Sequence, residues 1–263
     1  MVPTPSAMNS ATPWVLLRGL SREAAHWGPF VQQLAQASGQ PVLTLDLPGA
    51  GVRHREPSPM DVPRLATACA QELDRLGHRG PLCLLGLSMG GLVAADWARQ
   101  QPQQVQRLVM VNSSLAGLNP PWQRLRPAAW PGLLRIALQW QRADAEAGVL
   151  QLTSARPAAQ AGVLPGWQAI RRQRPVSAPN ALRQLVAAAR CRAPPQGPPA
   201  PLLVVASASD ALVNPACSRT IASTWAAPLA WHPWAGHDLP LDDGAWLASA
   251  VARWSRAPWR PMP

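Results

Sequence analysis

The sequence has no lysine and no tyrosine, so every one of its 24 basic residues is arginine. We read the missing lysine as coding bias. Cysteine is scarce as well: Cys69, Cys83, Cys191 and Cys217 show no C-x-x-C spacing, and reduced thiols are expected. Cys83 lies in an apolar, strand-like run, and reduced, buried thiols suit a cytoplasmic protein. No window approaches 18 uncharged apolar residues, so no membrane span is expected. The opening "MVPTPSAMNSATP" has neither the basic start nor the apolar stretch of a signal sequence. No pair of His or Cys has metal-ligand spacing, so neither a metal nor a cofactor is expected. "DLPGAG" (46–51) lacks the glycine pattern of a dinucleotide site and reads as a turn.

What is present describes a globular chain of 263 residues, 48% hydrophobic and 14% charged, long enough for one large core. Short apolar runs at 14–18, 42–46, 82–87, 107–112, 202–207 and 228–233 are strand-sized. Helical periodicity fills 26–38, 61–77, 89–102 and 242–256, with Asp61 as a cap and Pro102 as a stop. Strand and helix in turn imply an α/β fold with a mostly parallel, doubly wound sheet and ligands at the carboxyl ends of its strands. The alternation stops after Asn112. Residues 113–200 hold only helical pieces cut by Pro and Gly, and "PPQGPPAP" leads back to a strand. The expected division is a core of 1–112 and 201–263 with a helical cap of 113–200.

Charge follows that division. The net charge is +11, and the segment 113–200 alone carries eleven Arg against Asp144 and Glu146, a net +9. No basic tail or nucleic-acid motif accompanies the excess, so no nucleic-acid partner is expected. The cap arginines either form a solvated face or steer an acidic partner onto it.

The chemistry is concentrated in "LLGLSMGGLV" (84–93). Gly86-Leu87-Ser88-Met89-Gly90 fits G-x-S-x-G, with a strand before it and a helix after, so Ser88 stands on a tight turn at the sheet's end. A serine hydroxyl is a weak nucleophile, and it needs a base and a group to orient that base. Asp210, in "SASDALVNP" just past a buried strand, and His237, in "AGHDLP" after the last strand, supply both in the order Ser, Asp, His. Asp238 is adjacent to His237 and should point away from it.

By "GLSMGG", "SASDALVNP" and "AGHDLP" together, with "DLPGAG" and "LLRGL" in support, the chain resembles the α/β-hydrolase superfamily from Trp14 to about Arg256. The resemblance implies acyl transfer through a covalent intermediate on Ser88, with oxyanion donors at the main-chain N–H groups of Leu20 and Met89. Many members read His-Gly where this sequence reads Arg18-Gly19. Arg18 either pairs with a carboxylate and holds its loop, or lies near the acyl pocket as a substrate-binding cation favouring an anionic substrate. Trp122, Trp130, Trp140 and Trp167 either line an apolar cap pocket, where Trp122 and Trp130 would touch substrate, or serve ordinary helix packing. His26 is expected to be structural, while His54 and His78 look like surface residues.

The expected activity is hydrolysis of a carboxylic ester or thioester. An acyltransferase on the same residues, or a non-catalytic binding scaffold, are the alternatives. The basic cap is similar to that of pimeloyl-carrier-protein methyl esterases, which implies an acidic acyl carrier protein as partner beside the small-molecule ester.

Overall fold

A computed structural model describes residues 12–257. The reading of residues 1–11 as free of a targeting signal, and the outermost ends of the core division, lie outside the described residues. Six strands form one sheet: β1 (Trp14–Leu17), β2 (Val42–Leu45), β3 (Leu82–Leu87), β4 (Val105–Val111), β5 (Leu202–Ser207) and β6 (Leu229–His232). Their order is β2-β1-β3-β4-β5-β6 and every pairing is parallel. The strands match the sequence reading closely, β4 beginning two residues earlier and ending at Val111. Asn112 leaves the strand with a left-handed φ of 48°.

Parallel strands are covered on both faces, so alternate residues feed two cores. Val15, Leu17, Leu84, Met110 and Val204 face one, closed by α2 (Val62–Arg75) and α3 (Met89–Gln100). Trp14, Leu16, Leu85, Val111 and Val205 face the other, closed by α1 (Phe30–Ser38) and α10 (Leu239–Arg256). Asp61 caps α2 by accepting from Arg64 N at 2.9 Å, as expected. The last helix is broken at Asp243, which leaves helical geometry and accepts Trp246 N–H at 3.0 Å to start the second part.

Between β4 and β5 the chain forms α4 (Pro121–Arg124), α5 (Trp130–Leu138), α6 (Ala145–Thr153), α7 (Leu164–Gln173) and α8 (Ala178–Arg190). A single β-bridge, Ala116 to Arg192, brings the two ends of this helical segment together. One element was not expected: α9 (Ala216–Thr224), whose buried stripe is Cys217, Ser218, Ile221 and Ala222. Half of that stripe is small or polar, so its helical period is faint in the sequence. Among the described residues no helix is long and apolar enough to cross a membrane. Burial pushes the thiols of Cys69 and Cys83 up to about 12, and all four cysteines are free.

The chain runs outward from β1 to β2 and then crosses back to β3, so the sheet changes direction between β1 and β3. In open α/β sheets the crevice lies there, beyond the carboxyl ends of the strands. The loop after β1 begins with Arg18, and the turn after β3 is Ser88.

Candidate active site

Ser88 sits between β3 and α3 at φ 57°, ψ −120°, a left-handed conformation for a residue with a side chain. Such strain costs roughly 1–3 kcal/mol and persists only where neighbours enforce it. Here the enforcement is visible. Ser88 N–H donates to Val111 O at 2.8 Å, while Ser88 O accepts from Gly91 N at 3.0 Å and Ser113 Oγ at 2.9 Å. The flanking glycines are required by space: a Cβ on Gly86 would lie 2.2 Å from Gly90 O, and one on Gly90 2.1 Å from Leu17 O. The turn therefore presses against the end of β1.

Gly19 is its neighbour there. A Cβ built on Gly19 would stand 3.2 Å from Ser88 Cβ and 3.7 Å from Ser88 Oγ, so the loop after β1 passes over the serine. Among the described residues, the main-chain N–H groups of Leu20 and Met89 have no acceptor. Ser88 itself is half-buried.

Asp210 and His237 meet. His237 Nδ1 donates to Asp210 Oδ2 at 2.7 Å, with both residues buried. The other carboxylate oxygen of Asp210 accepts Leu212 N and Val213 N, each at 2.8 Å, so the group is held from both sides. Burial opposes the His237 imidazolium. The charge and hydrogen bond of Asp210 outweigh it, aided by Asp238 and opposed by Arg18, and the pKa rises above its ordinary value. His237 Nε2 makes no hydrogen bond among the described residues and is not sealed from solvent. None of the hydrogen bonds among the described residues joins that atom to Ser88 Oγ.

Asp238 turns away from the imidazole, as expected, and takes Arg18. The pair is bidentate, with Nη1 to Oδ1 at 3.0 Å and Nη2 to Oδ2 at 2.6 Å, and both side chains are buried. Arg18 also stacks 4.8 Å from the Trp27 ring centre. Of the two expectations for Arg18, pairing with a carboxylate is the arrangement present, and its charge is matched by Asp238 within the protein. Trp122 and Trp130, the two cap residues expected to touch substrate, are open to solvent. They are 62% and 56% exposed, on faces of α4 and α5 that are turned to solvent. Of the cap tryptophans Trp167 is the one turned inward, with Arg22 4.1 Å above its ring and His26 edge-on at 5.7 Å. His26 is a buried structural residue, and burial, then Arg22 and Arg18, push its pKa well below the ordinary value.

Several supporting residues escaped the sequence reading. Asn112 donates to Ser207 Oγ at 2.9 Å and His237 O at 2.9 Å, and accepts Ser207 N at 2.9 Å, so it ties β4, β5 and the histidine loop together. Its signal was a polar residue closing an apolar strand. Asp242 accepts Gly236 N at 2.7 Å and Ala155 N at 2.9 Å, which anchors the same loop to the chain following α6. The segment after Gly19 reaches the helical insertion through ion pairs: Arg22 with Glu146 at 2.6 Å, shared by Arg171, and Glu23 with Arg174. Arg171 and Arg174 are thereby withdrawn from the solvated basic face expected of the cap.

A parallel sheet with a strained serine on its third strand, and an aspartate–histidine pair on the loops after its fifth and sixth, defines a hydrolase-type α/β class. Residues 14–250 match the model of the Alpha/beta hydrolase family, and the chain belongs to that family. A pimeloyl-[acyl-carrier protein] methyl ester esterase of Aeromonas salmonicida is 40% identical over 101 residues, 38% of this chain and 37% of the relative. An sn-1-specific diacylglycerol lipase of Danio rerio is 35% identical over 104 residues, 40% of this chain and 32% of the relative. The match thus spans about a third of the length of each of these relatives. Among solved structures, an enol-lactonase from Burkholderia xenovorans LB400 superposes with a TM-score of 0.75 at 22% identity, over 94% of this chain and 92% of that one, a likeness of fold.

Proposed function

We propose that the chain is a serine hydrolase that cleaves a carboxylic ester or thioester through an acyl-enzyme on Ser88. The observation that carries the reading is the buried Asp210–His237 hydrogen bond, on loops at the carboxyl ends of the same sheet whose strand β3 ends in the strained Ser88. His237 Nε2 takes the Ser88 proton as Oγ attacks the carbonyl carbon, and Asp210 holds the imidazole tautomer and stabilises its charge. The N–H groups of Leu20 and Met89 receive the oxyanion. The tetrahedral adduct collapses, the leaving alcohol or thiol departs with the proton from His237, and acyl-Ser88 remains. A water deprotonated by the same nitrogen then releases the acid. The contact between Ser88 and His237 closes as substrate binds, as such contacts often do. Residues 113–200 act as the cap over this site.

The acid side of the pH profile tests the base. His237 must be neutral to accept the proton, and its pKa is raised. Hydrolysis of p-nitrophenyl esters should therefore fall as pH drops through a midpoint above 6.5, with a burst of p-nitrophenolate equal to the enzyme concentration. No turnover at any pH would favour the non-catalytic scaffold. Transfer of the acyl group to an added alcohol in preference to water would favour the acyltransferase.

An acidic carrier as partner is favoured by a specific surface. Arg55 and Arg183 line a cleft of about 550 Å³ between the 54–57 loop and the start of α8, and exposed Arg190 continues it along that helix. Charge steering of this kind weakens with salt. On a carrier-bound ester, kcat/KM should drop at least tenfold between about 10 mM and 500 mM salt, while a small neutral ester is unaffected. Equal salt response of both substrates would remove the carrier from the account.

A further inference from the structure

We infer that Gln184, a fully buried residue of the helical insertion, is a positioning residue for the oxyanion donor at Leu20, so that the cap sets the rate of the chemical step. The inference rests on the serine-hydrolase reading and concerns how its oxyanion turn is held.

Residues 19–22 form a four-residue turn closed by Arg22 N–H donating to Gly19 O at 3.2 Å. The Gly19 carbonyl and the Leu20 N–H belong to one planar trans peptide and point in opposite directions. Whatever fixes the first therefore aims the second. The turn has an unfavourable residue at its third position: Ser21 has φ 60°, a left-handed value suited to glycine. Its hydroxyl adds nothing to compensate, because Ser21 Oγ is buried without a partner. Left to itself, a seryl residue there would relax to negative φ, turning the Leu20–Ser21 peptide and loosening the Arg22–Gly19 bond that fixes the Gly19 carbonyl.

Gln184 supplies what the turn lacks. Its Oε1 accepts Ser21 N–H at 2.9 Å, and its Nε2 donates to Pro48 O at 3.2 Å in the loop after β2. Both partners are main-chain groups with one possible role each, so the amide orientation is determined. Gln184 is 0% exposed, on the inward face of α8 with Asn180 one turn earlier, and Asn180 pins the 54–58 loop through Ser58 N, His54 O and Glu56 O. The inward face of α8 thus carries two buried amides that hold core loops, where a packing helix would present Leu or Val.

The test is steady-state hydrolysis of a p-nitrophenyl ester by Gln184→Met and Gln184→Asn, each alone and combined with Ser21→Gly. Methionine fills the space without an acceptor, and asparagine keeps the amide but falls short of Ser21 and guards against a folding failure in the first. Misplacing a catalytic group by about 1 Å costs up to ~10²-fold, so kcat should fall about 10- to 100-fold with KM within about twofold. Ser21→Gly relieves the left-handed strain without the glutamine and should restore kcat to within about threefold of wild type. A kcat at the wild-type level in both single variants, a loss carried by KM, or no rescue by Ser21→Gly would each overturn the inference. A Ser88→Ala control separates it from the reading beneath it. If that variant is as active as wild type, the serine mechanism has failed; if it is inactive while the Gln184 variants are fast, only the positioning role has.

Discussion

Ser88→Ala should lower kcat by about 10⁶-fold while leaving the fold and the thermal midpoint close to wild type. The magnitude follows from the non-additive behaviour of nucleophile, base and orienting acid in serine hydrolases generally, where removing the nucleophile alone costs nearly as much as removing all three. On the proposed mechanism the loss should be in kcat, because the N–H groups of Leu20 and Met89 would still receive a carbonyl oxygen in the variant. Stability should move little: no hydrogen bond among the described residues involves the Ser88 hydroxyl, and alanine keeps the same backbone. The left-handed φ of 57° remains as costly for alanine as for serine. Steady-state hydrolysis beside a melting curve checks both halves, and a kcat within tenfold of wild type would remove Ser88 from the mechanism.

The second large effect concerns stability. Arg18→Met should destabilise the protein by about 3–5 kcal/mol, because it strands the Asp238 carboxylate in a buried site. Burial alone would raise the pKa of Asp238, and the Arg18 guanidinium beside it overcomes that and holds it below the ordinary value. The sign fixes the pH window. The pair's contribution is complete above the unfolded carboxylate pKa of about 3.9 and is lost as acid drives the pH down through the lower, folded value. Arg18→Met/Asp238→Asn should recover most of the loss, since apolar or neutral replacements of a whole buried pair are often tolerated. Urea unfolding at pH 7 reads the three proteins. A single variant within about 1 kcal/mol of wild type would mean that the pair is not a buried structural contact.

These two residues also show what could be read from the letters. All six strands were legible, because parallel strands covered on both faces are continuous apolar runs with no competing period. The places of Ser88, Asp210 and His237 after β3, β5 and β6 were legible because each follows such a run, and a polar residue at a strand end stands out. Arg18 was only half legible. Its departure from the usual histidine could be seen, but its partner is 220 residues away, and sequence offered no means of choosing between Asp238 and a substrate anion.

The setting of Trp122 and Trp130 was illegible for a related reason. Large aromatics signal burial on average, yet which side of a short, proline-cut helix faces inward depends on how the helices of the insertion pack. Asn112 was visible as a polar residue closing an apolar strand, but not its role, and Gln184 was missed altogether, because a buried amide has no sequence signature of its own. Its partners are main-chain groups, which every residue possesses. The helix at 216–224 was missed because its stripe is built from Cys, Ser and Ala beside one Ile.

The central claim, that Ser88 is the nucleophile held ready by His237, is tested most directly with a fluorophosphonate probe followed by peptide mapping. The account predicts one phosphonyl group per chain, located on Ser88, and no labelling of the Ser88→Ala or heat-denatured protein. Attachment at another residue, or equal labelling of the alanine variant, would contradict it.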